Sequence, residues 1–171
     1  MSKVPSVNLA DFLSGDAERK QKFINEIGNA YETIGFVAVK GHFLDDKLVE
    51  DLYGEVKNFF ELPVDVKQKY EIPGIGGQRG YVSFGKESAK GKKEGDLKEF
   101  WHFGQYVENN PALEAEYPAN VSVDELPKFN EVGKQAYKML EKTAKYILRS
   151  LALHLGLEET YFDNYIKNGN S

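Results

Sequence analysis

The chain of 171 residues carries 27 acidic against 22 basic side chains, a formal net charge of −5, no cysteine, and 41% apolar against 29% charged residues. Without cysteine there is no disulfide, no thiolate nucleophile and no cysteine-ligated metal, and the acidic balance argues against a general nucleic-acid binder, which needs a basic one. No apolar run approaches the ~20 residues that cross a bilayer, and the opening MSKVPSVNLADFLSGD lacks the apolar stretch of a secretory signal, so a cytoplasmic protein of one domain is expected.

In chain order, Val4 to Leu9 reads as a short strand that Pro5 confines to an edge or a strand start. From Asp16 the pattern turns helical: Phe23, Ile24, Ile27, Ala30, Tyr31 and Ile34 recur at three- and four-residue spacing, and Gly35 stops the helix. Phe36 to Val39 is a compact strand closed by Gly41 and His42. Asp45 or Asp46 can cap the next helix, with Leu48, Val49, Leu52, Val56, Phe59 and Phe60 on its apolar face. Leu62-Pro63 breaks it, and Pro63 can take the first position of a short helix running to Tyr70.

A glycine-rich loop, residues 73–80, leads into a strand over Tyr81 to Phe84. Residues 85–96 read as an exposed, lysine-rich mobile loop, and Leu97 to Tyr106 resumes strand character. Residues 107–127 hold five acidic and no basic side chains with three prolines, the signature of an irregular connection. The longest element spans 128–155, with Phe129, Val132, Ala136, Leu140, Ala144, Ile147, Leu148, Leu151 and Leu155 on one face until Gly156 ends it. Residues 158–166 read as a final short helix, and Asn168 to Ser171 as turn chemistry. The fold class is therefore α+β and helix-rich. Its three or four short strands are too scattered to close a sheet and need partner strands.

Few residues carry chemistry. The glycines at 74, 76, 77 and 80 do not make a dinucleotide loop, because that loop must follow a strand and open a helix, whereas this one leads into an extended segment. Residues 85–93 miss the phosphate-loop spacing by one residue, and Lys93 stands where a Ser or Thr is required. His42, His102 and His154 fall on three separate elements without metal-ligand spacing, and His154 reads as a structural side chain of the long helix. No catalytic residue and no metal ligand is assigned.

Arg79 is the exception, as the only cation between Glu71 and Gly85. Glycine at position 80 lets a ligand approach closely, and a guanidinium beside the phenol of Tyr81 can hold a carboxylate bidentately. The alternative is an arginine that pins the loop to a carboxylate of the chain, with Glu99 the first candidate. Lys98-Glu99 itself reads as a solvated strand entry.

Taken in order, the segments Gly35-Phe-Val-Ala-Val-Lys-Gly-His42, Phe59-Phe-Glu-Leu-Pro63, Lys67-Gln-Lys-Tyr70, Arg79-Gly-Tyr81, Lys98-Glu-Phe100 and Leu155-Gly-Leu157 with Phe162 resemble the N-terminal region of the isopenicillin N synthase-like, 2-oxoglutarate- and iron(II)-dependent oxygenases. Phe43 departs from the glycine usual there and suggests an altered turn. The resemblance implies a jelly-roll (double-stranded β-helix) oxygenase, of which residues 1–171 form the N-terminal domain: 3–127 as short strands, helices and loops, 128–155 as the backbone helix, and 158–166 as a short helix. It implies that Fe(II), bound by a His-x-Asp and a distal His, and 2-oxoglutarate belong to a jelly-roll half absent from this chain, which Ser171 would lead into. Arg79 and Tyr81 match a segment that reaches the substrate in some members.

By this resemblance the chain is expected to supply the scaffold and one pocket wall of an enzyme that hydroxylates, desaturates or cyclises a small molecule with molecular oxygen. A 2-oxoglutarate-independent iron oxidase of the isopenicillin N synthase type and a non-catalytic interaction module are the alternatives. No nucleic-acid or membrane partner is expected. The C-terminal jelly-roll half is the expected partner, without which strand edges and part of the 128–155 helix would lie exposed.

Overall fold

The computed structural model describes residues 3–87, 95–107 and 110–166. They fall into two compact units, residues 3–45 with 138–166 and residues 46–137. The described residues are rich in helix, with four short strands in two two-stranded sheets among them. Among the described residues no helix is long and apolar enough to cross a membrane.

In the first unit, β1 (Ser6–Asn8) pairs in parallel with β2 (Ala38–Lys40), Val7 opposite Val39. Asn8 ends β1 because its side-chain oxygen accepts from the Ala10 amide at 3.1 Å, which caps α1 (Leu9–Phe12). That helix was not expected: Leu9 reads as a strand residue until the asparagine cap turns the backbone. Asp16 caps α2 (Ala17–Thr33) by accepting from the Glu18 and Arg19 amides at 2.9 and 3.1 Å. Gly35 takes φ +78° just beyond it.

The core of this unit is Val7, Leu9, Phe12, Phe23, Ile24 and Ile27, with Phe43, Tyr146, Ile147 and Leu151 packed against it. Each such side chain contributes about 1.5–3 kcal/mol when fully buried. Tyr31 and Ile34 follow the helical spacing but are exposed, and so is Phe36, which precedes β2 instead of opening it. Phe43, the departure at the turn, meets the Tyr146 ring at a tilt of 39° and 5.5 Å, with the Lys142 ammonium 3.9 Å from its own ring. The final helix is shorter than expected, α7 (Asp163–Ile166), and Arg149 holds Asp163 bidentately at 3.1 and 2.5 Å.

The second unit contains α3 (Asp46–Phe60) and α4 (Val64–Gln68). Pro63 is the N-cap of α4, one position before the place expected for it. β3 (Gly80–Val82) pairs antiparallel with β4 (Phe100–His102), setting Gly80 opposite His102 and Tyr81 opposite Trp101. Both strands are shorter than the sequence suggests, and Phe84 and Leu97 beyond their ends are exposed. The acidic connection contains a helix, α5 (Pro111–Glu116), started by the Asn110 side chain and Pro111. The segment 88–94 of the lysine-rich loop and the turn at 168–171 lie outside the described residues.

The core here is aromatic. Phe59, Tyr70, Tyr81, Val123 and Phe129 are buried, and Phe59 stacks on Phe129 at 5.2 Å and meets Trp101 edge-on at 4.8 Å. Helix α6 (Pro127–His154) contributes residues to both units. Leu140 and Leu155, expected on its apolar face, are exposed, while Thr143 and Ser150 are buried. Their hydroxyls are satisfied locally: Thr143 donates to the Met139 carbonyl at 2.8 Å and Ser150 to that of Ile147 at 2.7 Å.

Candidate functional site

The segment 78–81 enters β3 through glycine, and the pairing of β3 with β4 decides where its side chains go. Tyr81 turns into the aromatic core at 1% exposure, and its hydroxyl donates to the Glu99 carboxylate. Glu99 in turn accepts from the Lys67 ammonium at 3.0 and 2.8 Å, and Lys67 also donates to the Phe60 carbonyl at 3.1 Å. Lys67 is buried, its ammonium 5.6 Å from the Tyr81 ring and 5.8 Å from the Phe60 ring.

Burial pushes the Glu99 carboxyl up, but the hydrogen bonds from Lys67 and Tyr81 outweigh it and hold the group below its usual range. Burial, and then the Glu99 carboxylate, drive the Tyr81 phenol well above its ordinary value. Lys98-Glu99 is thus not a solvated pair. Lys98 reaches out to Glu87 at 2.6 Å and Asp96 at 3.5 Å, while Glu99 closes a buried network. In the sequence Lys67 enters only as part of the family-like segment Lys67-Gln-Lys-Tyr70, with no role of its own; its place in a short helix gave no signal that its charge would be buried.

Glu99 is therefore not the carboxylate that pins Arg79. The Arg79 side chain is buried at 4% exposure, Nη1 donating to the Gln78 carbonyl at 2.7 Å. It packs against the backbone of Gly104, just past β4. Asn120 clamps that backbone, accepting from the Gly104 amide at 2.8 Å and donating to the carbonyls of Gly104 and Gln105 at 3.0 and 3.2 Å. Beyond Gly104 comes Tyr106, whose ring meets that of Tyr137 edge-on at 5.7 Å and carries the Lys134 ammonium at 5.2 Å. Burial pushes the Tyr106 phenol up to about 12, with the Arg79 charge pulling the other way.

Arg79 and Tyr81 do not converge on one point: the arginine lies on Gly104, the tyrosine hydroxyl on Glu99. Tyr81 and Val82 instead line a cavity of about 510 Å³ together with Gln68, Glu71, Gly76, Gly77 and Lys86. Glu71 in its wall accepts from Ser83 at 2.9 Å and pairs with Lys86 at 3.1 Å.

The histidines stay apart. His42 is exposed, His102 Nδ1 lies 2.6 Å from the Gly77 carbonyl, and His154 Nε2 lies 3.0 Å from Glu32 Oε1. Among the described residues no three His, Cys, Asp or Glu side chains gather where a metal ion could be held. The described residues of this chain therefore do not fit an iron site.

A family model described as non-haem dioxygenase in morphine synthesis, N-terminal, matches residues 4–125. The chain belongs to this family of non-haem dioxygenase N-terminal regions. A 2OG-Fe(II) oxygenase family protein from Caulobacter crescentus superposes with a TM-score of 0.86 at 32% identity, covering 99% of this chain and 54% of that one. The proline hydroxylase buaE of Petromyces alliaceus is 28% identical over 167 residues, 94% of this chain and 50% of its own length. The 2-oxoglutarate-dependent dioxygenase imqE of Aspergillus flavus is 37% identical over 89 residues, 52% of this chain and 24% of its own. The chain thus spans half or less of these curated relatives. The family match contains Lys67, Arg79, Tyr81, Glu99, Gly104 and Asn120.

Proposed function

We propose that residues 1–171 act as the N-terminal domain of a 2-oxoglutarate- and iron(II)-dependent oxygenase that hydroxylates, desaturates or cyclises a small molecule with molecular oxygen. The observation that carries this reading is the family match over residues 4–125, joined by a likeness over 99% of the chain to a 2OG-Fe(II) oxygenase family protein. Bound iron and 2-oxoglutarate would supply the oxidising chemistry, with ligands from a C-terminal jelly-roll half, since this chain gathers no metal-binding cluster among its described residues.

This chain's contribution is scaffold and one wall of the substrate pocket. Arg79 would anchor a substrate carboxylate: a guanidinium held away from bulk water binds an anion more strongly than an exposed one. Tyr81 would serve apart from Arg79, lining the 510 Å³ cavity with its hydroxyl tied to Glu99, so that it orients β3 while Arg79 meets the anion.

The test uses the full-length gene product loaded with Fe(II) and 2-oxoglutarate and screened with small carboxylic acids for succinate release. A substrate-stimulated turnover is expected, and Arg79→Lys should raise the KM for that acid roughly tenfold or more while the KM for 2-oxoglutarate stays put. Absence of both iron binding and substrate-stimulated turnover overturns the proposal. Oxidation that proceeds without 2-oxoglutarate hands it to the co-substrate-independent oxidases.

A further inference from the structure

The cavity of about 510 Å³ beside β3 lies in the size range of small-molecule sites. Ile72, Pro73 and Val82 give it an apolar side, and Glu71, Lys86 and Glu87 are the charged side chains among its described lining residues. Glu87 is occupied from outside that lining, by Lys98 at 2.6 Å. What remains on the cavity is an ion pair, Glu71 with Lys86 at 3.1 Å.

The two partners are held unequally. The backbone of Glu71 pairs with Gly80, its side chain is 24% exposed, and Ser83 donates to its Oε2 at 2.9 Å while Lys86 meets Oε1. The Lys86 side chain is 59% exposed, but the backbone on either side of it is tied. The Gly85 amide donates to the Asp96 carbonyl at 3.0 Å, and the Asp96 amide to that of Glu87 at 2.7 Å. The glycine wall is fixed as well. A Cβ on Gly77 (φ +74°) would come within 2.9 Å of Val82 Cγ2, and the Gly77 carbonyl accepts from His102 Nδ1 at 2.6 Å.

Glu71 is thus a carboxylate fixed through one oxygen by a serine and covered on the other by a side chain with room to leave. A ligand ammonium can replace Lys86 on Oε1, and the released Lys86, tethered beside it, then requires an anion. A lone amine would strand Lys86, and a lone carboxylate would strand Glu71. Only a ligand carrying both charges satisfies the pair. Because the two groups stand 3.1 Å apart, the ligand's charges must also be adjacent. We infer that this cavity binds an α-amino acid zwitterion, its ammonium on Glu71, its carboxylate on Lys86 and its side chain along Ile72 and Val82. The site goes beyond the oxygenase reading and does not rest on it, and Arg79 is absent from its lining.

The experiment is calorimetric titration of the full-length gene product without added 2-oxoglutarate, so that turnover plays no part. L-norleucine is the probe; pentylamine and hexanoate are the same molecule lacking its carboxylate or its amine. Norleucine should bind at least about tenfold tighter than either, the effect of one charge left unmatched. The variants should then cross over. Glu71→Gln makes norleucine and hexanoate bind alike, whereas Lys86→Met makes norleucine and pentylamine bind alike. A general loss of structure does not produce that exchange of preferences. Lys57→Met, in an exposed pair of α3, is the control and leaves all three Kd values in place.

Should Glu71→Gln fail to fold, Lys86→Met, at the more exposed position, is read alone. Norleucine that does not bind, that binds no better than pentylamine or hexanoate, or that binds undiminished to the folded variants overturns the proposal. Failed turnover beside an intact crossover strikes the oxygenase reading and leaves this site standing.

Discussion

Both units rest a buried or half-buried polar side chain on a bare glycine, and His154 and Arg79 show how the two differ. In the first, a Cβ on Gly28 would meet the His154 ring at 2.2 Å; the side chain of His154 is 18% exposed and its partner Glu32 is 64% exposed. In the second, the Gly104 seat holds Arg79 at 4% exposure, and Lys67 on α4 forms an ion pair with Glu99, just before β4, with side chains only 5% and 16% exposed. The first unit keeps its charges at the rim of an apolar core. The second draws them inside an aromatic one. Burying a charge costs several kcal/mol before its partner offsets it, and the second unit gathers such groups on α4 (Lys67) and at the entries to β3 (Arg79) and β4 (Glu99).

The contrast can be broken by mutation. Phe59→Ala removes the ring at the centre of the aromatic core and should cost about 4–5 kcal/mol by urea denaturation, a loss shared across its contacts with Tyr70, Tyr81, Trp101 and Phe129. Lys67→Met should cost about 3–4 kcal/mol, because it strands the Glu99 carboxylate; a Lys67→Met, Glu99→Gln double variant should recover most of it. A single variant as stable as the parent would show the pair to be solvated after all.

Acid tests the buried pair of the second unit. Glu99 has its pKa lowered in the folded protein, so its stabilising effect is complete above the unfolded value near 4.5 and is lost as pH falls through the folded one. Glu99→Gln should flatten that part of the pH–stability curve, read as urea midpoints across the acid range. In the first unit, Asp16→Ala removes the cap of α2 and should cost about 1 kcal/mol, read as a lower urea midpoint. Gly28→Ala should be smaller still, since His154 can swing outward and alanine gains helix propensity; thermal unfolding that moves by a degree or two would agree.

Much of the frame was legible. Asp16 and Gly35 bracket α2 as the spacing suggests, because a side-chain cap and a left-handed stop are local chemistry. The order of the short motifs from Gly35 to Phe162 pointed to the family. What local pattern misses depends on neighbours. Leu9 passes for a strand residue until the Asn8 side chain turns the chain, α5 is hidden in an acidic proline-rich stretch, and Leu140 keeps helical spacing while facing solvent.

The same division runs through the site. By itself the sequence determined the helix spacing, the start and stop of α2, the absence of any cysteine chemistry and the singular position of Arg79, since each can be read from the order of residues alone. Only the tertiary structure decided which charge met which: Lys67 with Glu99 across 32 positions, Tyr81 with Glu99 across 18, and Arg79 with the bare backbone of Gly104. Those pairings come from the antiparallel register of β3 and β4 and from the low dielectric of an aromatic core, where a charge must find its partner by three-dimensional proximity.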